Sequence, residues 1–66
     1  MNERQTKALR FLLDHAEMHI RDLEAMCPEV NRRTLQRDLQ QMEDRGLVGR
    51  KGEARQSLYI LKVNKL

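Results

Sequence analysis

Four long polar side chains recur at helical spacing within residues 32–45 of this sequence, RRTLQRDLQQMEDR. They are Arg33, Gln36, Arg37 and Gln40. An arginine can donate two parallel hydrogen bonds to the edge of guanine, and a glutamine can donate one hydrogen bond to the edge of adenine and accept another from it. Both side chains also reach phosphate oxygens. The chemistry that these residue types offer is binding to a nucleic acid.

The apolar residues of the same segment lie on the opposite side of a helical wheel. Leu35, Leu39 and Met42 recur at i, i+4 and i+7, which makes one narrow apolar face. At about 100° per residue, the four polar side chains fall roughly 100–200° away from Leu35, with Gln41 at the edge of their face. A solvated structural helix would more often alternate Glu and Lys for internal pairing. The separation therefore favours a helix that meets another polymer.

Local signals define the ends of this helix and the place of its first acid. Asn31 is a suitable N-cap for a helix over residues 32–45, and Gly46 is the expected C-terminal stop. Asp38 falls beside the apolar face rather than on the polar face. We expect Asp38 to pair with a cation on a neighbouring helix.

A first helix is predicted over residues 3–17. Asn2 and Gln5 stand at the spacing of a capping box at its start. Its apolar stripe comprises Ala8, Leu9, Leu12, Leu13 and Ala16. Residues 18–20 are expected to form a short extended connection to the next helix.

A second, shorter helix and a hairpin complete the predicted architecture. The helix covers residues 21–27, because proline at position 28 disfavours helix in the residue before it. Its buried face comprises Ile20, Leu23, Met26 and Cys27. Two β-prone runs, residues 47–51 and 57–61, flank a Gly-containing loop and predict a β-hairpin. We therefore predict one α+β domain over residues 1–66, a small three-helix winged helix-turn-helix with a C-terminal hairpin wing.

Charge is distributed unevenly along the chain. Residues 1–30 carry four basic and six acidic side chains, a net charge of −2, whereas residues 31–66 carry nine basic and four acidic side chains, a net charge of +5. This asymmetry indicates a polyanionic partner for the second half. Within it, we predict base-edge contacts from Arg33, Gln36, Arg37 and Gln40, a DNA contact from Gln41 at the edge of their face, and backbone contacts from Asn31, Arg32, Thr34, Arg50, Lys51 and Arg55.

Size and composition argue against most other functions. A chain of 66 residues with one Phe, one Tyr and no Trp can build a small core but no deep catalytic cleft. We find no catalytic dyad, phosphate loop, signal peptide or membrane-length apolar run, and a single Cys fits a reducing compartment. We expect a cytoplasmic, non-enzymatic protein that needs no cofactor and no small-molecule substrate.

Two histidines four residues apart raise a metal site as an alternative. His15 and His19 have a spacing that can bind a metal on one helix face, with Cys27 as a candidate third ligand. The predicted helix ends between them, so the two rings need not face the same way. We favour surface histidines, a small buried Cys27, and no metal. Tyr59 is expected to pack in the core rather than stack on a base.

The run RRTLQRDL, residues 32–39, followed by residues 46–48, GLV, resembles the recognition helix and strand entry of DeoR-type winged helix-turn-helix regulators. The opening NERQ and the ending LYIL resemble the winged-helix domain at the C-terminus of many Fic-family proteins and of some helicase-related transcriptional regulators. This resemblance spans about residues 2–61. It implies DNA binding with Thr34 at a phosphate. The catalytic motif of Fic enzymes is absent, so no AMP transfer is implied.

Together these observations predict a regulator that binds double-stranded DNA, with helix 32–45 in the major groove and hairpin 47–61 on the backbone. The alternative is a protein-contact or dimerisation module that regulates a larger protein. In that case the hairpin or residues 63–66 would pair across a two-fold axis.

Overall fold

Three helices and a three-stranded antiparallel sheet make up this computed structural model, which describes residues 1–52 and 58–62. The elements are α1 (Glu3–Asp14), β1 (Met18–His19), α2 (Ile20–Met26), α3 (Arg32–Asp44), β2 (Val48–Lys51) and β3 (Leu58–Leu61). The predicted α+β class is confirmed, and the order of elements is that of a winged helix. No helix in the described part of the chain is long and apolar enough to cross a membrane.

Strand β1 is the element that the sequence did not predict. Its two residues lie where only an extended connection was expected, and they pair with β3, Met18 opposite Tyr59 and His19 opposite Leu58. Strand β2 pairs antiparallel with the other edge of β3, as the hairpin prediction required, so the order is β1-β3-β2. Two residues are too short to show an alternating pattern, and therefore only the tertiary pairing defines them as a strand.

Helix α1 begins as predicted and ends earlier. The capping box is present, since Asn2 Oδ1 accepts from the Gln5 backbone N–H at 2.8 Å and Gln5 Oε1 accepts from the Asn2 backbone N–H at 3.0 Å. The helix ends at Asp14 rather than residue 17, because the chain becomes extended at His15 in order to enter β1. The predicted apolar stripe is consequently wrong at its end: Leu13 is 68% exposed and Ala16 is exposed.

Helix α2 starts one residue before the predicted position because a histidine caps it. His19 Nδ1 accepts from the Arg21 backbone N–H at 3.2 Å, and Asp22 Oδ2 accepts from the His19 backbone N–H at 2.9 Å. After α2 the chain reverses in a tight turn in which the Val30 N–H donates to the Cys27 carbonyl at 3.1 Å. Proline at position 28 suits this turn, because its fixed φ fits the second turn position.

The core contains the apolar residues of α3 that helical spacing predicted to be buried, together with apolar residues of the other helices and of the strands. Its buried members are Ala8, Leu12, Met18, Leu23, Cys27, Leu35, Leu39, Met42, Val48 and Tyr59. Cys27 is buried as predicted, and Tyr59, only 4% exposed, packs in the core as predicted. Burial of Leu35 and Leu39 fixes the rotation of α3 about its axis, which decides the side chains that α3 presents outward.

Helix α3 ends at Asp44, with Arg45 as its C-cap instead of its last helical residue. Beyond it, the Leu47 N–H donates to the Met42 carbonyl at 2.9 Å, and Gly46, at φ 77°, donates to the Glu43 carbonyl at 3.0 Å. This is the hydrogen-bond pattern of a Schellman motif, which places a left-handed residue directly after the helix. Glycine at position 46 therefore lets α3 turn directly into β2.

Replacing Gly46 with alanine is expected to lower the free energy of unfolding by about 1 kcal/mol, because a Cβ disfavours the left-handed conformation. A Cβ there meets no atom within 4 Å, so the cost arises from the backbone alone. Urea denaturation followed by circular dichroism measures it. Gly46→Asn is the matched control and should cost less, since asparagine tolerates this conformation. Equal costs for the two variants would contradict the explanation.

Candidate nucleic-acid interface

The outward face of α3 carries the four predicted base-contacting side chains. Arg33, Gln36, Arg37 and Gln40 are all exposed, whereas Leu35 and Leu39 on the inner side are completely buried. Among contacts within residues 1–52 and 58–62, Gln40 is the one member of this set that makes a side-chain hydrogen bond, donating to Asp44 Oδ1 at 3.0 Å across one exposed turn. The structure thus brings the four side chains together on one accessible surface, which we call the α3 face.

Gln41, predicted at the edge of this surface, takes part in the contact between α1 and α3. Its Oε1 accepts from Gln5 Nε2 at 3.1 Å, and the same Nε2 donates to the Asp38 backbone carbonyl at 3.0 Å. Gln5 is itself only 4% exposed. The Gln41 side-chain oxygen therefore already accepts a hydrogen bond within the protein, and Gln41 is less available than Arg33 or Arg37 to bind an external partner.

Asp38 anchors α3 to the N-terminal end of α1, and its predicted pairing with a cation on a neighbouring helix is confirmed. Arg4 donates from Nε to Oδ2 at 2.5 Å and from Nη2 to Oδ1 at 3.2 Å, and Asn2 Nδ2 donates to Oδ1 at 3.0 Å. Burial by itself would raise the pKa of Asp38, but the hydrogen bonds from Arg4 and Asn2 outweigh it and hold that pKa below its usual value. A charged carboxylate therefore fixes the position of α3.

The N-terminus of α3 is capped as the sequence predicted. Asn31 Oδ1 accepts from the Thr34 backbone N–H at 2.9 Å, and the Thr34 side chain is half-buried. Both residues were predicted to hold the phosphate backbone. The Asn31 side-chain oxygen caps α3 at an exposed position, so a phosphate at this end of α3 would be bound by donor groups.

Three cations predicted to hold the backbone are paired with glutamates. Arg32 donates to Glu24 of α2 at 2.7 and 3.2 Å, as a two-pronged contact between α3 and α2. Arg50 Nε lies 3.3 Å from Glu43, and Lys51 Nζ donates to Glu17 at 2.5 Å. Each glutamate is at least seven residues away in the sequence, so no local pattern revealed these pairs.

The other charged side chains near α3 differ in what they contact. In residues 1–52 and 58–62, Arg33 and Arg37 take part in no ion pair. The Arg50 guanidinium lies 5.5 Å from the centre of the Tyr59 ring, a distance at which a cation is attracted to the ring face. Glu29 is exposed in the turn between α2 and α3. Arg55 lies outside the described residues.

The two histidines do not form the alternative metal site. His15 stacks on Phe11, with ring centres 4.1 Å apart, while His19 caps α2. Within the described ranges, no group of three His, Cys, Asp or Glu residues is arranged to hold a metal ion. His19 is thus a local structural residue rather than the surface histidine that was expected.

A concave surface, the α1–α2 groove, lies between α1 and α2. It encloses about 400 Å³ and is lined by Lys7, Arg10, Phe11, Asp14, His15 and Met26. The Lys7 Nζ donates to the Met26 carbonyl at 3.4 Å and so bridges the two helices. Its lining mixes charged and apolar side chains, and it contains no member of the α3 face.

Comparison with known proteins supports the fold and corrects the family. No family model matches the chain, and no curated protein matches it. A solved structure, the neutron crystal structure of dissimilatory sulfite reductase D (DsrD), is similar with a TM-score of 0.80 at 19% sequence identity, covering 94% of this chain and 97% of that chain. At this level of identity the likeness shows the fold alone.

The predicted membership of the DeoR-type regulators, or of the Fic-associated and helicase-associated winged-helix domains, is therefore wrong. The resemblance to DeoR-type regulators rested on the RRTLQRDL run and the GLV that follows α3, and the other resemblance rested on the opening NERQ and the ending LYIL. In this structure the RRTLQRDL run forms the N-terminal part of α3 and buries its two leucines, and the glycine follows the C-terminal end of the helix. The motif indicated a type of helix and not a family.

Proposed function

We propose that this domain binds double-stranded DNA by placing α3 in the major groove. The observation that carries this proposal is the α3 face, where two arginines and two glutamines are exposed directly opposite buried leucines. These are the side chains that bind guanine and adenine edges with paired hydrogen bonds. The proposed role is binding without catalysis, as part of the control of transcription.

The spacing of the two arginines suits this role. Arg33 and Arg37 are one turn apart, so their Cα atoms are separated by about 6 Å along the helix axis. Successive base pairs are about 3.4 Å apart, so the two side chains can reach bases roughly two steps apart. Both lie in the N-terminal half of α3, the half that contacts base edges in helix-turn-helix proteins.

The wing supplies contacts of a different kind. Strand β2 ends in Arg50 and Lys51, and both side chains are exposed. Contacts from such cations to phosphates position a protein on the duplex without selecting sequence. With Arg32 at the start of α3, these residues form the proposed backbone-contacting set.

Binding to a duplex is expected to weaken steeply with salt. If about five phosphates are contacted, the slope of log affinity against log salt approaches about −4 to −5. Fluorescence anisotropy with a labelled duplex, at about 50 mM and about 200 mM salt, measures this slope. Absence of salt-sensitive binding to any duplex would refute the proposal.

The rival function is a protein contact through the α1–α2 groove, which Phe11 and Met26 line together with charged side chains. This rival function is compatible with a homodimer or with a domain of a larger protein. For DNA binding too, a lone domain of this size would need dimerisation or a larger parent protein to recognise one sequence tightly. Size-exclusion chromatography with light scattering, with and without duplex, separates the two functions. Under the DNA-binding function the mass shifts on addition of duplex, and Lys7→Ala leaves that shift unchanged.

A further inference from the structure

The cations of this surface divide into two groups. Each described cation of the backbone-contacting set is held by a glutamate: Arg32 by Glu24, Arg50 by Glu43, and Lys51 by Glu17. The two arginines of the α3 face take part in no ion pair among the described residues. Three of the four ion pairs found there thus involve proposed phosphate contacts, and the fourth is the structural Arg4–Asp38 pair.

The Arg32–Glu24 pair has the most defined geometry of the three. Both carboxylate oxygens of Glu24 accept hydrogen bonds, from Nε at 2.7 Å and from Nη2 at 3.2 Å. The hydrogen bond from Arg32 lowers the pKa of Glu24 and raises that of Arg32, so both groups are charged at neutral pH. A phosphate that binds Arg32 must therefore displace a charged carboxylate or share the guanidinium with it.

Such exchange is feasible but it weakens binding. Both partners are substantially exposed, at 53% for the Arg32 side chain and 32% for that of Glu24, and exposed pairs are weak. After displacement, however, the carboxylate remains beside the incoming phosphate, which it repels. It also takes up a counterion, which offsets part of the counterion release that drives binding to duplex.

We propose that Glu24, Glu43 and Glu17 restrain sequence-independent binding by occupying the cations that contact phosphates. Arg33 and Arg37, which form no ion pair with any described residue, then supply a larger share of the total affinity through base edges, which raises the ratio of specific to non-specific binding. This inference rests on the proposed DNA-binding function and adds glutamates that determine specificity.

Replacing Glu24 with glutamine is expected to tighten binding to a duplex of random sequence by about three- to fivefold at low salt. The slope of log affinity against log salt should become steeper by up to about one. Titration of the full chain with labelled random duplex, at the same two salt concentrations, measures both quantities. Circular dichroism checks that the variant remains folded.

Two comparisons test whether the effect of Glu24→Gln on duplex binding arises from loss of the ion pair with Arg32 or only from loss of a negative charge. Glu29→Gln makes the same charge change at an exposed carboxylate of the same helix-turn-helix that forms no ion pair in the described chain, and it should tighten binding less. In an Arg32→Ala background, the effect of Glu24→Gln should largely disappear, since the cation that it releases is absent.

Each outcome bears on the inference. An undiminished effect of Glu24→Gln in the Arg32→Ala background, an equal effect of Glu29→Gln, or weaker binding by Glu24→Gln would overturn it. If the wild-type protein binds duplex in any of these cases, the inference is overturned but the proposed DNA-binding function is not. Wild type that binds no duplex refutes the proposed function, and this inference with it.

Discussion

Replacing Arg33 and Arg37 together with alanine is expected to weaken binding to a cognate duplex by at least about thirtyfold. Each two-pronged contact between an arginine and guanine contributes about 1–3 kcal/mol of discrimination, so the loss of both costs about 2–6 kcal/mol. Both side chains are exposed, so the free energy of unfolding should change by less than about 0.5 kcal/mol. The measurements are duplex titration and urea denaturation of the same preparations.

A matched control tests whether this effect arises from the α3 face or from net charge. Arg10→Ala with Arg45→Ala removes two exposed arginines, one from α1 and one at the C-terminal end of α3. This control should weaken binding only slightly, through the long-range field of the protein. If the control and the Arg33/Arg37 variant lose similar affinity, the assignment of the α3 face is wrong.

Replacing Asp38 with asparagine is expected to lower the free energy of unfolding at neutral pH by about 1.5 kcal/mol. Hydrogen bonds to charged groups contribute about 1.5–3 kcal/mol, and the lower value applies because the Arg4 side chain is 34% exposed and solvent screens the pair. The variant keeps the shape of the side chain and an oxygen for Asn2, but its amide cannot accept the bond from Arg4 Nε. Urea denaturation at neutral pH measures the loss.

The same substitution should change the response to acid. The folded-state pKa of Asp38 lies below the ordinary 3.8, so the stability that its charge contributes is present above that value and is lost as pH falls through the folded pKa. The gap between wild type and Asp38→Asn should therefore narrow as pH falls from about 5 towards 2. Asp44→Asn, on the exposed side of α3, is the control. A gap that is constant with pH would contradict the ionised pair.

The helices were predictable because their signals are short-range. Asn2 with Gln5 and Asn31 each lie within three residues of the backbone groups that they cap, and Gly46 stands directly after the residues that it terminates. Helical spacing then predicted that Leu35 and Leu39 point inward, and with them the exposure of the α3 face. Errors of one residue at the ends of α2 and α3 are typical of helix termini, which fray.

The error at the end of α1 and the missed ion pairs both arise from contacts between distant segments. The end of α1 at Asp14 and the exposure of Leu13 depend on β1, which exists only because β3 pairs with it. The family assignment failed because the residues that supported it perform general tasks in a helix of this fold. The pairing of Arg32 with Glu24 depends on how α2 packs on α3, and spacing along one helix does not contain that information.

The sequence by itself determined the N-terminal caps of α1 and α3, the inward and outward faces of α3, and the basic character of residues 31–66, because these properties depend on residue type and on spacing within one element. Only the tertiary structure decided which cations form ion pairs with glutamates. Folding brings Glu24, Glu43 and Glu17 to Arg32, Arg50 and Lys51, and leaves Arg33 and Arg37 outside those pairs. An ion pair requires two charges within about 4 Å, and only packing between elements can bring side chains from separate segments to that distance.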